Sequence, residues 1–240
     1  MTGKLIGVGT GPGDPELLTL KAVRAIEGAD VVAYFAKQGN ASNARAIVAD
    51  LLVNKVEEQL GYPVTTEIDR RHDDYKAATS AFYAEAAQRI AVHLDAGRSV
   101  AVLSEGDPLF YGSYMHIHVR LAPLYPTEVI PGITAMSGCW SAAGLPLVQG
   151  DDILSVLPGT LDEVDLRTRL DGTDGAVIMK VGRNLPKIRR ALELAGRLDT
   201  AVYVERGTMA NGLHMRLIDK PDDVAPYFAL VLVPGWSTRP

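Results

Sequence analysis

Apolar residues in the first half of the chain fall in short runs, each closed by glycine, proline or a polar cluster. Residues 5–9, 31–35 and 56–60 read as strands, with helical stretches starting at Pro15 and spanning about 43–52 between them, an α/β rhythm. A longer helix at about 74–96 carries Tyr75, Thr79, Phe82, Ala86 and Ile90 near helical spacing, with Gly97 placed to end it. "SVAVLSEGDPLFYGS" and "TEVIPGITAMSG" then each show a buried-looking strand running straight into a loop of glycine and proline. Beyond that point the strands crowd together. "ILSVLPG", "GAVIMKVG", "TAVYVERG", "LHMRLI" and "FALVLVPG" read as five strands with one clear helix, 185–195, after the second. With so few crossover helices a mixed sheet is expected there. The pattern predicts two α/β domains: 1–131 with a mostly parallel sheet, and 132–240 with a mixed sheet.

The loop in "GVGTGPGDPELLTL" asks what its glycines hold. A dinucleotide fingerprint needs G-x-G-x-x-G, and counting from Gly7 or Gly9 the third glycine falls on Pro12 or Asp14. No Gly-Lys-Ser/Thr follows, and the Asp14 carboxylate would repel a phosphate from the helix start. Asp14, Pro15 and Glu16 instead read as a helix N-cap, a proline at the first helical position and an acid favourable to the dipole. Residues 7–13 are then a tight turn against whose backbone either a ligand or another chain segment lies. In a parallel sheet the loops at 9–14, 104–112 and 131–135 emerge together at the carboxyl ends of the strands. They are poor in lysine and arginine, so they suit an uncharged or zwitterionic group, such as adenosine with an amino-acid tail.

At 240 residues, 47% hydrophobic and 22% charged, the composition is that of a soluble globular protein. The formal charge of −5 argues against general nucleic-acid binding and leaves room for a local basic pocket. Neither a run of about 18 apolar residues nor an apolar stretch of signal-peptide length is present, so no membrane span is expected and the location is read as cytoplasmic. Cys139 is the only cysteine, which leaves no intrachain disulfide and favours a structural thiol. His116 and His118, two apart on a helix, face different ways and make a poor ligand pair, so no metal is expected. Asp107 in "EGDPLF" reads equally as an Asp-Pro turn or as a ligand contact. Among Arg70, Arg71, Lys180, Arg183, Arg189, Arg190 and Arg206, the strand-end residues Lys180, Arg183 and Arg206 are candidates for a ligand-facing rim.

Together, "GVGTGPGDPELLTLKAVRAIEGADVV", "LSEGDPLFYGS", "VIPGITAMS", "VIMKVGRN" and "YVERGT" closely resemble the tetrapyrrole methylase family almost end to end. Within it, "YPVTTE" near residue 62, "EGDPLFYGSYMHIHVRL" and "VLPGTL" most resemble the branch that methylates precorrin-2, with or without cobalt, at carbon 20. Glu105 stands where uroporphyrinogen methyltransferases usually carry glycine. The resemblance implies a two-domain homodimer with S-adenosylmethionine in a cleft between the domains and a tetrapyrrole as substrate. It implies cofactor contacts at Gly9, Pro12, Glu105, Gly106, Asp107, Phe110, Thr134, Ala135, Val181 and Gly207, with Val181 replacing a methionine of some relatives. It names no catalytic residue; Glu105 and Glu67 are the candidate bases. Other family activities remain open: methylation at a different corrin position, of uroporphyrinogen, of ribosomal RNA ribose or of diphthine. So does a non-catalytic cofactor-binding module.

Overall fold

The computed structural model describes residues 2–37, 39–62 and 73–235, so Glu67, Arg70, Arg71 and most of "YPVTTE" lie outside the described residues. The chain divides into two compact units, Met1–Thr134 and Ala135–Pro240.

The first unit is built on five parallel strands: β1 (Leu5–Gly9), β2 (Val31–Lys37), β3 (Val56–Tyr62), β4 (Val100–Ser104) and β5 (Thr127–Ile130), in the order β3-β2-β4-β1-β5. Side chains alternate across the sheet, and both faces are covered, which is why β1, β2 and β4 read as nearly continuous apolar runs. Ile6, Val8, Val32 and Leu103 pack with α1 (Leu20–Gly28) and α2 (Asn43–Ile47) on one face. Leu5, Val31, Val100 and Val102 pack with α3 (Asp73–Asp95) and α4 (Tyr114–Leu121) on the other. Phe82, Ala86 and Ile90 are buried on α3 as the spacing requires, and Gly97, at φ 78°, ends the segment.

Two helix starts differ from the sequence reading. Asp14 does cap, accepting the Glu16 N–H at 2.8 Å, but it opens only a 3₁₀ turn at Pro15–Leu17. Thr19 supplies a second cap through the Ala22 N–H at 3.1 Å, and α1 begins at Leu20. The stretch expected at 43–52 is likewise split into α2 and a 3₁₀ turn at Ala49–Leu51.

The second unit contains β6 (Leu154–Pro158), β7 (Gly175–Met179), β8 (Val202–Glu205), β9 (Leu213–Arg216) and β10 (Ala229–Val233), in the order β6-β7-β10-β8-β9. Only β6 and β7 are parallel; the other pairs are antiparallel. One clear helix was expected among these strands, yet α6 (Glu163–Asp171) precedes α7 (Leu185–Leu194) and α5 (Ala135–Ala142) opens the unit. α6 makes the crossover that the parallel neighbours β6 and β7 need. Its sequence hides it, because only Leu166 and Leu170 are buried in an otherwise charged segment. α5 hides for the opposite reason: "AMSGCWSA" has no charged residue to give it a polar face.

At the sheet edge in the first unit, Glu128 on β5 is gripped by Lys21 and Lys4, each at 2.5 Å, which hold its pKa at about 2 against an ordinary 4.5. A depressed carboxylate stabilises fully above its unfolded pKa, and that contribution disappears as pH falls from about 4.5 through about 2. Glu128→Gln should therefore flatten the acid limb of thermal stability in that window. Because both lysines are exposed, the difference should be small and should shrink in high salt, as melting temperatures against pH at two ionic strengths will show.

Candidate functional site

Three loops leave the carboxyl ends of the neighbouring strands β4, β1 and β5, and backbone contacts knit them together. The Thr10 N–H donates to the Ser104 carbonyl at 2.8 Å, and Gly11 and Gly106 exchange N–H···O bonds of 3.3 and 2.9 Å. Gly9 answers the question of its own conservative size. A Cβ there would lie 2.5 Å from Gly132 N, 2.6 Å from Gly132 Cα and 2.7 Å from Gly106 O. What lies against Gly9 is another chain segment.

Asp107 fulfils its turn reading and more. Oδ1 accepts the Leu109 N–H at 2.9 Å, closing the Asp-Pro turn, while Oδ2 accepts the Gly132 N–H at 3.2 Å. One carboxylate thus fastens the loop after β4 to the loop after β5. Pro12 and Phe110 are half-buried on these loops, and Thr134 ends the first unit. Phe110 packs edge-on against Tyr111, with ring centroids 4.9 Å apart. Tyr111 was not singled out by the sequence reading, yet it is 51% exposed and held at φ 55°, the left-handed region that a non-glycine residue seldom occupies.

Glu105 turns to a different neighbour. Its side chain is exposed at the end of β4, and its polar neighbours are Asn43 and Ala44 at the start of α2. Desolvation by the surrounding protein is the larger influence and raises its pKa, partly offset by those two neighbours. Sequence spacing gave no sign of this partner, because Asn43 is far away along the chain.

Nearby, Ser113 bonds both the Tyr62 and the Tyr83 hydroxyls, the latter at 3.2 Å. The Tyr83 ring stacks on His116 at 4.0 Å between centroids, whereas His118 Nδ1 lies 3.3 Å from the Tyr114 hydroxyl. The two histidines are separately engaged, as their spacing suggested. Burial and Arg120 lower the His116 pKa.

In the second unit Val181 is fully buried, in the core that also holds Leu185 and Ile188. Lys180 and Arg206, the residues directly after β7 and β8, both adopt left-handed backbone, at φ 55° and 49°. Arg206 is paired with the neighbouring Glu205, which also accepts the Tyr203 hydroxyl at 2.8 Å. Arg183 is exposed on a 3₁₀ turn. Arg189 and Arg190 serve structure: Arg189 bonds the carbonyls of Leu217 and Lys220, and Arg190 pairs with Glu163. Ala135 begins α5, and Gly207 packs against that helix, where a Cβ would meet Cys139 Sγ at 2.9 Å. Burial pushes the Cys139 thiol up to about 11, against the bond from Gly207. Cys139 should therefore resist iodoacetamide at pH 8 in the folded protein and react only after unfolding, a contrast that mass spectrometry of the alkylated protein reads directly.

No lysine or arginine occurs at 9–14, 104–113 or 131–135, so nothing on the three loops neutralises a polyphosphate. Backbone-rich turns without cations do fit S-adenosylmethionine, whose adenosine is uncharged and whose amino-acid end is zwitterionic. The model of the tetrapyrrole (corrin/porphyrin) methylases matches residues 4–216. The chain belongs to that family.

A precorrin-2 C(20)-methyltransferase from Sinorhizobium is 69% identical over 239 residues, covering 99% of this chain and 98% of that protein. Among solved structures, the cobalt precorrin-4 methyltransferase CbiF superposes with a TM-score of 0.70 at 22% identity, over 99% of this chain and 96% of that one. This likeness shows the tetrapyrrole methylase fold. A uroporphyrin-III C-methyltransferase from Thermus thermophilus, solved with S-adenosylhomocysteine, matches with a TM-score of 0.63 at 26% identity, over 97% of this chain and 98% of that one. As in any methylase of this family, the chemistry asks for a held methyl donor. Among the described residues no group of three His, Cys, Asp or Glu is arranged to hold a metal ion, and no helix is long and apolar enough to cross a membrane.

Proposed function

We propose that this protein transfers a methyl group from S-adenosylmethionine to carbon 20 of precorrin-2, a step of cobalamin biosynthesis. The observation that carries the reading is the 69% identity, over almost the whole of both chains, to the Sinorhizobium precorrin-2 C(20)-methyltransferase. The cation-free loops of the first unit support it, because they suit this methyl donor and no nucleotide polyphosphate.

When bound, S-adenosylmethionine supplies a methyl group already activated on a positively charged sulfur. Pro12, Gly106, Asp107, Phe110 and Thr134 are the residues of the first unit proposed to hold it. The protein's task is alignment: Asp107 and the Gly11–Gly106 pairing fix the loops in one arrangement before the ligand arrives. No protein nucleophile is required, since the reduced tetrapyrrole carbon is itself electron-rich.

We also propose that the enzyme works in the cytoplasm as a homodimer. The exposed Met115 and Val119, one turn apart on α4, with Leu124 just beyond, offer an apolar face for a second copy. Sedimentation velocity should return a single species of twice the chain mass.

The function is tested by incubating the protein anaerobically with precorrin-2 and S-adenosylmethionine. One methyl group should be added per molecule, with an equal amount of S-adenosylhomocysteine formed. Methylation of RNA or protein alone would overturn the assignment.

A further inference from the structure

Left-handed backbone is costly for a residue that carries a Cβ, and only glycine, asparagine and aspartate visit it readily. Among the described residues, four non-glycine positions adopt it: Asn54, Tyr111, Lys180 and Arg206. Asn54 is of a tolerant type. Lys180 and Arg206 are not, and they occupy matching places, each the first residue after its strand. Both backbones are pinned. The Lys180 carbonyl accepts from Asn184 Nδ2 at 3.0 Å, the Arg206 carbonyl accepts the Met209 N–H at 2.9 Å, and the Arg206 N–H donates to the Phe228 carbonyl at 2.9 Å. All three bonds use the main chain of Lys180 or Arg206, so glycine or asparagine would keep them with less strain. The Arg206 side chain adds a pairing with Glu205, which the Tyr203 hydroxyl already engages. The turns themselves call for tolerant residues and not for positive charge.

The sheet brings the two cations to one edge. β10 lies between β7 and β8 and runs antiparallel to both, so β7 and β8 end together beside the start of β10. Ala229 is partnered with Glu205 on one side, and continuing the Val231–Ile178 register places Lys180 across from Ala229 on the other. With adjacent strands about 4.8 Å apart, the backbones of Lys180 and Arg206 stand roughly 10 Å from each other. The segment entering β10 adds an aromatic surface: Tyr227, 75% exposed, stands edge-on to Phe228, with ring centroids 5.0 Å apart. Thr208 Oγ1, two residues beyond Arg206, is buried and has no hydrogen-bond partner among the described residues. Buried polar atoms in folded proteins are nearly always paired, so an unpaired hydroxyl at this edge points to a bound polar group. Separated cations, an exposed aromatic ring and this hydroxyl together suit a ligand with an apolar body and an anionic periphery.

We propose that Lys180 and Arg206 hold carboxylate arms of the tetrapyrrole substrate at this edge of the second sheet. The proposal rests on the methyltransferase reading above. The acetate and propionate arms of precorrin-2 are anionic at neutral pH and surround a ring system with apolar faces, which matches cations set apart beside Tyr227. Each arm accepts charge-assisted N–H···O bonds, from the lysine as a point charge and from the arginine through its planar fork. S-adenosylmethionine also carries a carboxylate, but a single one beside its own ammonium group, and so has less use for two separated cations. The strain at both turns is stability given up to keep charge at this edge.

The test compares Lys180→Gly, Lys180→Asn, Lys180→Arg and Arg206→Asn with the wild type, and with Arg190→Gln as a charge removed elsewhere in the same unit. Lys180→Gly and Lys180→Asn should melt no lower than the wild type, because both relieve the left-handed turn. Their KM for precorrin-2 should nevertheless rise about tenfold, with kcat and the calorimetric affinity for S-adenosylhomocysteine each within about twofold of wild type. Lys180→Arg should keep KM near the wild-type value, Arg206→Asn should raise it as Lys180→Gly does, and Arg190→Gln should leave it unchanged. Added salt should raise the wild-type KM for precorrin-2 more steeply than that of Lys180→Gly. Three results would overturn the proposal while leaving the function standing: an unchanged KM in Lys180→Gly and Arg206→Asn, an equal rise in Arg190→Gln, or a loss of S-adenosylhomocysteine affinity as large as the rise in KM, which would give these cations to the methyl donor. A wild-type enzyme that transfers no methyl group to carbon 20 would overturn both.

Discussion

Gly132→Ala should lower both thermal stability and S-adenosylmethionine affinity, because it drives apart the loops that follow β1, β4 and β5. A Cβ at this position would collide with the Gly106 carbonyl oxygen and approach Gly9 Cα to 2.9 Å. Both obstacles are backbone, so no side-chain rotation relieves them, and one loop must move. Overpacking of this kind costs about 1–3 kcal/mol. In a chain of this size each kilocalorie lowers the melting temperature by roughly 2–4 °C. Gly28→Ala is the matched control, since a Cβ there meets nothing within 4 Å at the end of α1. Calorimetry and melting curves of the two variants should separate clearly; equal behaviour would mean that the close approach of the loops is unimportant.

Asp107→Ala should weaken cofactor binding by about tenfold or more. Each lost charge-assisted hydrogen bond is worth roughly 1.5–3 kcal/mol, and the substitution removes the acceptor of both the Leu109 and the Gly132 N–H groups. Asp107→Asn keeps one acceptor oxygen and so should fall between wild type and alanine. The order of dissociation constants, wild type below asparagine below alanine, is the expected calorimetric result. An unchanged constant in the folded alanine variant would reduce Asp107 to a turn residue.

Most strands of both units were legible because sheets buried on two faces, or closed by Gly-Pro turns, leave compact apolar runs such as "LIGVG" and "GAVIM". The three-loop edge was legible too, since strand ends in a parallel sheet face one way. What the sequence concealed depends on pairings between distant positions. Nothing local joins Asp107 to Gly132, Glu105 to Asn43, or Tyr62 and Tyr83 to Ser113. Helix α6 was concealed by its charge, and the start of α1 by two competing caps, Asp14 and Thr19, five residues apart. Glycine spacing gave no sign that Gly9 is pressed against Gly132 and Gly106, a close approach that only the fold brings about.

The central claim is methylation of precorrin-2 at carbon 20, and the position of the methyl group tests it most directly. Precorrin-2 is incubated anaerobically with the protein and S-adenosylmethionine carrying a carbon-13 methyl, and the product is examined by carbon-13 nuclear magnetic resonance. A single labelled methyl on the bridging carbon 20 is the predicted result. A labelled methyl on a pyrrole-ring carbon would contradict it and assign the protein to another branch of the tetrapyrrole methylases.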